Sequence, residues 1–183
     1  MSRPDVRVRR TRTLLRAALV ELIEDRGFDR ITVGELTSRA MISRAAFYRN
    51  YRDKYDLVEQ IFDEAMAEMT DTEDDTRSPG QRWAGFLRHI DTYHRLYRAL
   101  LGRNGSPWFA DRMRNALAAM STAHLPGRTA DDLVPSIVSA IFVQSIVWWL
   151  EHDRPYPPDR MAEQSSDLIR AVFETNLTVP DRP

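Results

Sequence analysis

Between Phe47 and Lys54 the chain reads F-Y-R-N-Y-R-D-K, and this short run gathers the side chains best suited to chemistry with a polyanion. Arg49, Arg52 and Lys54 are cationic donors, and Tyr48 and Tyr51 add hydroxyls; together they can hold phosphate oxygens. Just ahead, Ala45 and Ala46 are small enough to let a helix approach base edges. Lys54 is the single lysine among 26 basic residues, and it falls where a helix should begin, so free backbone N–H groups would favour a phosphate beside it. The plainer alternative is a helical hairpin whose arginines are only solvated.

Other chemistries find little support. The chain has no cysteine, which removes disulfides, thiolate metal ligands and cysteine nucleophiles. His89, Asp91 and His94 cluster, yet histidines five residues apart do not share a helix face well, and two ligands without a third make a poor zinc site. There is no glycine-rich phosphate loop, no G-x-S-x-G and no pair of carboxylates set with a histidine on an apolar face. No catalysis, cofactor or metal is expected.

Taken over the whole chain, charge opposes a nucleic-acid partner, because 26 Lys+Arg against 27 Asp+Glu give a net charge of -1 over 183 residues. The balance is uneven along the chain. Residues 1–60 carry 13 basic and 9 acidic side chains, +4, and the remainder carries 13 and 18, -5. Six arginines fall in the first 16 residues and read as a basic arm, whereas the run from Ile61 to Thr76 holds seven acids and no base. A basic end on an acidic body favours a polyanion at that end. The apolar stretch after the arm is broken by Arg16 and Glu21, too interrupted for a secretory signal, so a cytoplasmic protein is expected.

The elements that must position these residues are helices. Leu15, Ala18, Leu19, Leu22 and Ile23 form an amphipathic stripe over about 11–26, with Gly27 as its stop. Thr32 and Glu35 form a capping box for a short second helix ending near Arg39; Ser43 caps a third through about Tyr48; Asp53 caps a fourth carrying Leu57, Ile61 and Ala65. Val33, Leu36, Ala40, Ile42 and Phe47 are the apolar residues that would lock the short pair at a fixed angle, the pattern of a helix-turn-helix. After the polar "DTEDDTRSPG", a second long stripe runs from Trp83 to Leu101, then a helix from Pro107 through Met120 closed by "HLPGRTADD", then the uncharged Leu133–Leu150, then a last helix with Leu168, Ile169, Val172, Phe173 and Leu177. The expectation is an all-α fold of about eight or nine helices.

The uncharged 18-residue segment contains Pro135, three serines and Gln144 and has no basic anchor, so a core or subunit-interface helix is expected rather than a membrane span. With the last helix it offers half of a four-helix bundle that a second copy completes. Trp83, Phe86, Tyr93, Phe109, Met113 and Trp148, with Tyr97, Met120 and Phe142, are candidates to line an apolar pocket, although aromatics at helical spacing are ordinarily core. Gln144 is the polar candidate, as a buried amide needing a partner or as a bond across a dimer interface.

The segment "ITVGELTSRAMISRAAFYRNYRDKYDLVEQIFDE", residues 31–64, resembles the DNA-binding domain of the TetR family of bacterial transcriptional regulators. Thr32, Leu36, Ala40, Ile42, Ser43, Phe47, Tyr48, Tyr51, Lys54 and Leu57 fall in register, and F-Y followed six residues later by Lys and then by Leu is specific. The resemblance implies an N-terminal three-helix helix-turn-helix domain, residues 1–55, followed by a helical dimerisation and effector domain, residues 56–183. It implies that Ser43 to Tyr48 form the recognition helix with Arg44, Ala45 and Ala46 facing the major groove, Arg44 donating to a guanine and an alanine pressing on a thymine methyl. Tyr48, Tyr51 and Lys54 would be phosphate contacts, and Arg49 and Asn50 would reach bases or backbone. Met41 stands where the family usually has glycine, Ala46 where threonine is common, and Gly34 weakens the second helix.

The segment "WWLEHDRPYPPDRMAEQSSDLI" is similar to a subgroup that includes regulators of dihydroxyacetone kinase operons. The resemblance further implies a homodimer through the last two helices, a palindromic double-stranded DNA operator, a small-molecule effector and a repressor; with the uncharged segment read as a core or interface helix, no membrane partner is expected. The rival expectations are a helical ligand-binding or interaction protein without DNA function and, more distantly, a helical metallo-enzyme.

Overall fold

The computed structural model describes residues 6–69, 76–122 and 132–177. Among these it contains nine α-helices, one 3-10 turn (Phe28–Arg30) and no strand: α1 (Val6–Arg26), α2 (Val33–Arg39), α3 (Arg44–Tyr48), α4 (Lys54–Ala67), α5 (Pro79–Thr92), α6 (His94–Leu101), α7 (Pro107–Thr122), α8 (Leu133–Glu151) and α9 (Pro158–Leu177). The all-α expectation holds. Arg3, most of the polar stretch after α4, the "HLPGRTAD" segment and the side chains of Val172, Phe173 and Leu177 lie outside the described residues.

Local signals place the helix starts. Thr32 and Glu35 form the capping box, Glu35 N donating to Thr32 Oγ1 (3.2 Å) and Thr32 N to Glu35 Oε2 (2.9 Å). Ser43 Oγ accepts from Ala46 N, and Asp53 Oδ1 from Asp56 N. Ser78 and Gln81 form a second capping box, with Pro79 in the first turn. At the end of α1, Gly27 takes φ 81°, a value that would strain any other residue.

Two boundaries differ from expectation. α1 begins at Val6, so Arg7, Arg9, Arg10 and Arg12 belong to a helix rather than an arm. The stripe from Trp83 to Leu101 folds as two helices broken at Tyr93 (φ -113°, ψ 28°). No proline or glycine marks the break. Its cause is tertiary: α5 packs on α4 and α9, whereas α6 turns to pack on α1, α7 and α8.

Among the described residues the main apolar core runs from Leu15, Leu19 and Ile23 of α1 through Phe28, Leu36, Phe47 and Leu57 to Phe86, Phe109, Ile146 and Trp149, and a smaller cluster joins Val134 and Val138 of α8 to Ile169 of α9. α4 begins at Lys54 and packs against α5, so a boundary after residue 55 falls in its first turn. α8 is long and apolar enough to cross a membrane by length and composition, but its inner side, with Val138, Val143, Ile146 and Trp149, is packed against α6, α7 and α9. The opposite side exposes Leu133, Ile137, Gln144 and Trp148 in one stripe, and Leu168 of α9 is exposed as well.

Candidate nucleic-acid interface

The α2–α3 pair is built by two buried anchors and one strained turn. Leu36 of α2 and Phe47 of α3 enter the core completely. Between them Met41 N donates to Ser38 O and Ile42 N to Thr37 O, a tight reversal that requires Met41 to adopt φ 53°. The glycine usual at that turn is thus replaced without relaxing the turn.

With Phe47 fixed inside, helical geometry turns other positions of α3 outward. Ser43, Arg44, Ala45, Tyr48 and Arg49 are exposed, and Ala46 and Asn50 are half-buried. Asn50 Nδ2 donates to Ala46 O (3.0 Å), and Asn50 O accepts from Gln60 Nε2 of α4 (3.1 Å), which fixes the end of α3 to the next helix. Arg44 lies back against α2: a methyl group on Gly34 would sit 2.5 Å from its Nη2. The absence of a side chain at residue 34 therefore makes room for the Arg44 guanidinium. Arg52 is largely exposed and pairs with Asp56 at 3.3 Å.

Two expected phosphate contacts lie elsewhere. Tyr51 is 3% exposed and packs on Phe47 with ring centroids 5.4 Å apart; burial pushes its hydroxyl pKa up, against the pull of Arg12. Lys54 is 8% exposed and its Nζ donates to Phe28 O (2.8 Å) and Asp29 O (2.9 Å), with the ammonium 4.7 Å from the Phe28 ring centroid. Burial lowers its pKa, partly offset by Asp29 and Asp53. Neither is a surface donor. The 3-10 turn that receives Lys54 had no signal in sequence beyond Gly27, because its two carbonyls become acceptors only when α1 and α4 meet.

The basic first helix is also partly committed. Arg12 Nη1 and Arg16 Nη2 each donate to Glu64 of α4 at 2.8 Å, and the Arg16 guanidinium stacks 4.2 Å from the Tyr93 ring centroid. Within the acidic run, Asp63 pairs with Arg112 (3.6 Å) and Glu68 with Arg77 (2.8 Å), so these acids carry ion pairs while staying partly exposed to solvent.

Most of the expected pocket residues do not converge. Phe86, Phe109 and Met113 are closed core, Tyr93 lies under Arg16, and Gln144 and Trp148 are exposed on the outer stripe of α8. Gln144 is therefore not a buried amide. A cavity of about 280 Å³ exists instead between α5, α7, α8 and α9, and of the expected residues Trp83, Met120 and Phe142 line it. His89, Asp91 and His94 diverge: His89 faces the α1–α4 joint, Asp91 accepts from Arg154 Nη1 (2.9 Å), and His94 Nδ1 lies 2.9 Å from Asp91 O.

A buried scaffold that presents one face of α3 beyond a tight turn from α2 defines a helix-turn-helix protein. Residues 14–61 match the family model described as bacterial regulatory proteins, tetR family, and residues 84–171 match one described as a transcriptional regulator C-terminal region. The chain belongs to the TetR family. Over 80 residues it is 29% identical to the HTH-type transcriptional regulator YxbF of Bacillus subtilis, a match covering 44% of this chain but only 18% of that protein's length. Among solved structures it is similar in fold to a TetR transcriptional regulator from Streptococcus agalactiae (19% identity, 90% of this chain, 96% of that one, TM-score 0.61). It is also similar to the dihydroxyacetone kinase operon activator DhaS (15% identity, 90% and 97% of the chains, TM-score 0.58).

Proposed function

We propose that this chain is a ligand-responsive, homodimeric transcriptional repressor that binds a palindromic duplex operator in the cytoplasm. The observation that carries the reading is the outward face of α3. Arg44, Ala45, Tyr48 and Arg49 are exposed on a helix whose opposite side is held by Phe47. In this reading residues 1–55 are the DNA-reading head and 56–183 the dimerisation and effector body. Arg44 swings from its seat on Gly34 to a guanine edge, Ala45 and Ala46 abut bases, and Ser43, Tyr48, Arg49 and Asn50 hold the backbone. Tyr51 and Lys54 stand behind them as support. The exposed stripes of α8 and α9 meet those of a second copy, which sets two heads about 34 to 36 Å apart for successive major grooves.

Selection of duplexes from a random pool tests the reading. The expected result is an inverted repeat whose binding weakens steeply with salt, and Arg44→Ala relaxes the preference at one base position. A pool from which no inverted repeat is enriched overturns it.

A further inference from the structure

We infer that Trp108 and Arg112 of α7 hold the DNA-reading head at one angle to the body and thereby set the half-site spacing the protein accepts. The inference rests on the reading of the chain as a homodimer that binds an inverted repeat, and it names the residues that fix each head within its own protomer. α7 is anchored in the body, because its Phe109, Met113 and Leu117 are buried in the core. Trp108 and Arg112, four positions apart, share another side of the helix, and they face the head and the α4 helix that leads out of it. The Trp108 ring stacks parallel on Phe28 of the 3-10 turn (centroids 6.3 Å, planes 7° apart) and meets Tyr55 of α4 edge to face at 4.9 Å. Phe28 and Tyr55 also meet edge to face at 5.3 Å, so the three rings close a triangle drawn from three elements. One turn further along α7, the Arg112 guanidinium lies 5.3 Å from the Phe62 ring centroid and pairs with Glu59 and Asp63 of α4, each at 3.6 Å.

The place of this hold gives it its effect. α1 of the head lies along α6, with Arg95 of α6 paired to Glu24 (3.4 Å) and Arg16 stacked on Tyr93. A body held along one line of contact can rock about that line, and a second hold to one side of it stops the rocking. α4 meets α5 beyond its middle, where Phe62 packs edge to face on Phe86 (6.4 Å), whereas α7 takes hold from the first turn onward. From Trp108 to α3 the path is short: Tyr55 and Glu59 of α4, then Gln60, whose Nε2 donates to Asn50 O at the end of α3. Half-exposed ion pairs contribute little by themselves, so the aromatic triangle carries most of the hold and Arg112 the smaller part. A duplex reads such rigidity as spacing, since one added base pair moves the second half-site by about 3.4 Å and turns it by about 35°. A rocking head can follow that displacement; a head fixed by its own protomer cannot.

Two measurements on the unaltered chain, Trp108→Leu and Arg112→Gln test the inference. The first needs no DNA. The chain has no cysteine, so Ser38→Cys in α2 and Arg88→Cys in α5, both exposed, place one spin label in the head and one in the body of the same protomer. With labelled chain diluted in an excess of unlabelled chain, pulsed dipolar spectroscopy gives the head-to-body distance distribution. One narrow distribution is expected for the unaltered chain, broadened about twofold in Trp108→Leu and less in Arg112→Gln. The second measurement uses the selected inverted repeat, the same repeat with its spacer changed by one base pair, and a single half-site. The unaltered chain should lose about tenfold in affinity on the spacer change, and in Trp108→Leu the loss shrinks to about threefold or less with half-site affinity unchanged. An unbroadened distribution in Trp108→Leu, or in Arg112→Gln where the first variant does not fold, overturns the inference. So does an undiminished spacer penalty, or a half-site affinity that falls with it, which would mark damage to the head itself. A chain whose variants broaden but which selects no inverted repeat keeps this hold and loses the regulator reading. A chain that selects a repeat while its variants stay narrow keeps the regulator reading and loses the hold.

Discussion

Met41 holds φ 53° with its side chain 87% exposed, so the α2–α3 turn carries left-handed strain that no burial offsets. Such strain costs an L-residue about 1 to 2 kcal/mol, and a glycine gives back about 0.4 to 1 kcal/mol through its freer unfolded chain. Met41→Gly is therefore expected to raise the unfolding free energy by about 0.5 to 1 kcal/mol, measured by urea denaturation. Lys54 presents the opposite case, a charged side chain turned inward. Removing its ammonium leaves the carbonyls of Phe28 and Asp29 without their donor, and Lys54→Ala should destabilise the chain by about 1 to 3 kcal/mol. If Lys54 is a clamp, the dependence of duplex affinity on salt stays that of the unaltered chain. Arg49→Ala, at an exposed cation, should instead lower that slope by about 1 with stability unchanged. Binding measured across a salt series separates the two.

At the scale of elements, the joint between α1, α4, α5 and α6 concentrates polar groups in the interior. Burial holds the His89 ring below the usual imidazole range; Glu64 and Glu68 of α4 and its following turn oppose that shift, and Arg16 of α1 adds to it. Tyr97 of α6 and Tyr93 lie against the same ring, at 6.0 and 4.7 Å between centroids. A histidine with a depressed folded pKa favours folding while neutral. That stability is fully present above about pH 6.5 and is lost as pH falls below it, because the unfolded chain takes up the proton first. Melting temperature should accordingly fall between pH 7 and 5, and His89→Gln should flatten the fall; an equally steep fall in the variant would place its origin in other groups. The same joint shows which features a sequence can disclose. The starts of α2, α3, α4 and α5 are written in local capping residues, Thr32 with Glu35, Ser43, Asp53 and Ser78, each acting within three positions. The break at Tyr93 and the inward turn of Lys54 depend on partners 25 or more residues away in α1 or the 3-10 turn, and no local pattern specifies them. Gln144 was legible as an anomaly in an apolar helix, but which way it faces is set by α6, α7 and α9.

At the scale of the molecule, the near-zero charge is the sum of a basic head and an acidic body, and the proposed function has two such heads act together. One short helix of five residues reads few base pairs, so in the proposed dimer much of the operator affinity comes from linking two half-sites. The proposed dimer assigns that linkage to the outer stripe of α8 and α9, where Ile137 is 41% and Leu168 60% exposed within one chain. Exposure makes the dimer testable without unfolding the protomer. A charge at such a position costs the isolated chain about 0.5 kcal/mol or less beyond helix propensity, but in an apolar dimer interface two copies of it would be buried without partners. Ile137→Asp is therefore expected to shift the chain from dimer to monomer in light scattering while its helical circular dichroism is retained. Affinity for the selected inverted repeat should fall about 100-fold or more, and affinity for a single half-site should change little, because each head is intact. A variant that stays dimeric would place the interface on another surface, and one that turns monomeric yet binds the full repeat undiminished would show that the heads read DNA independently.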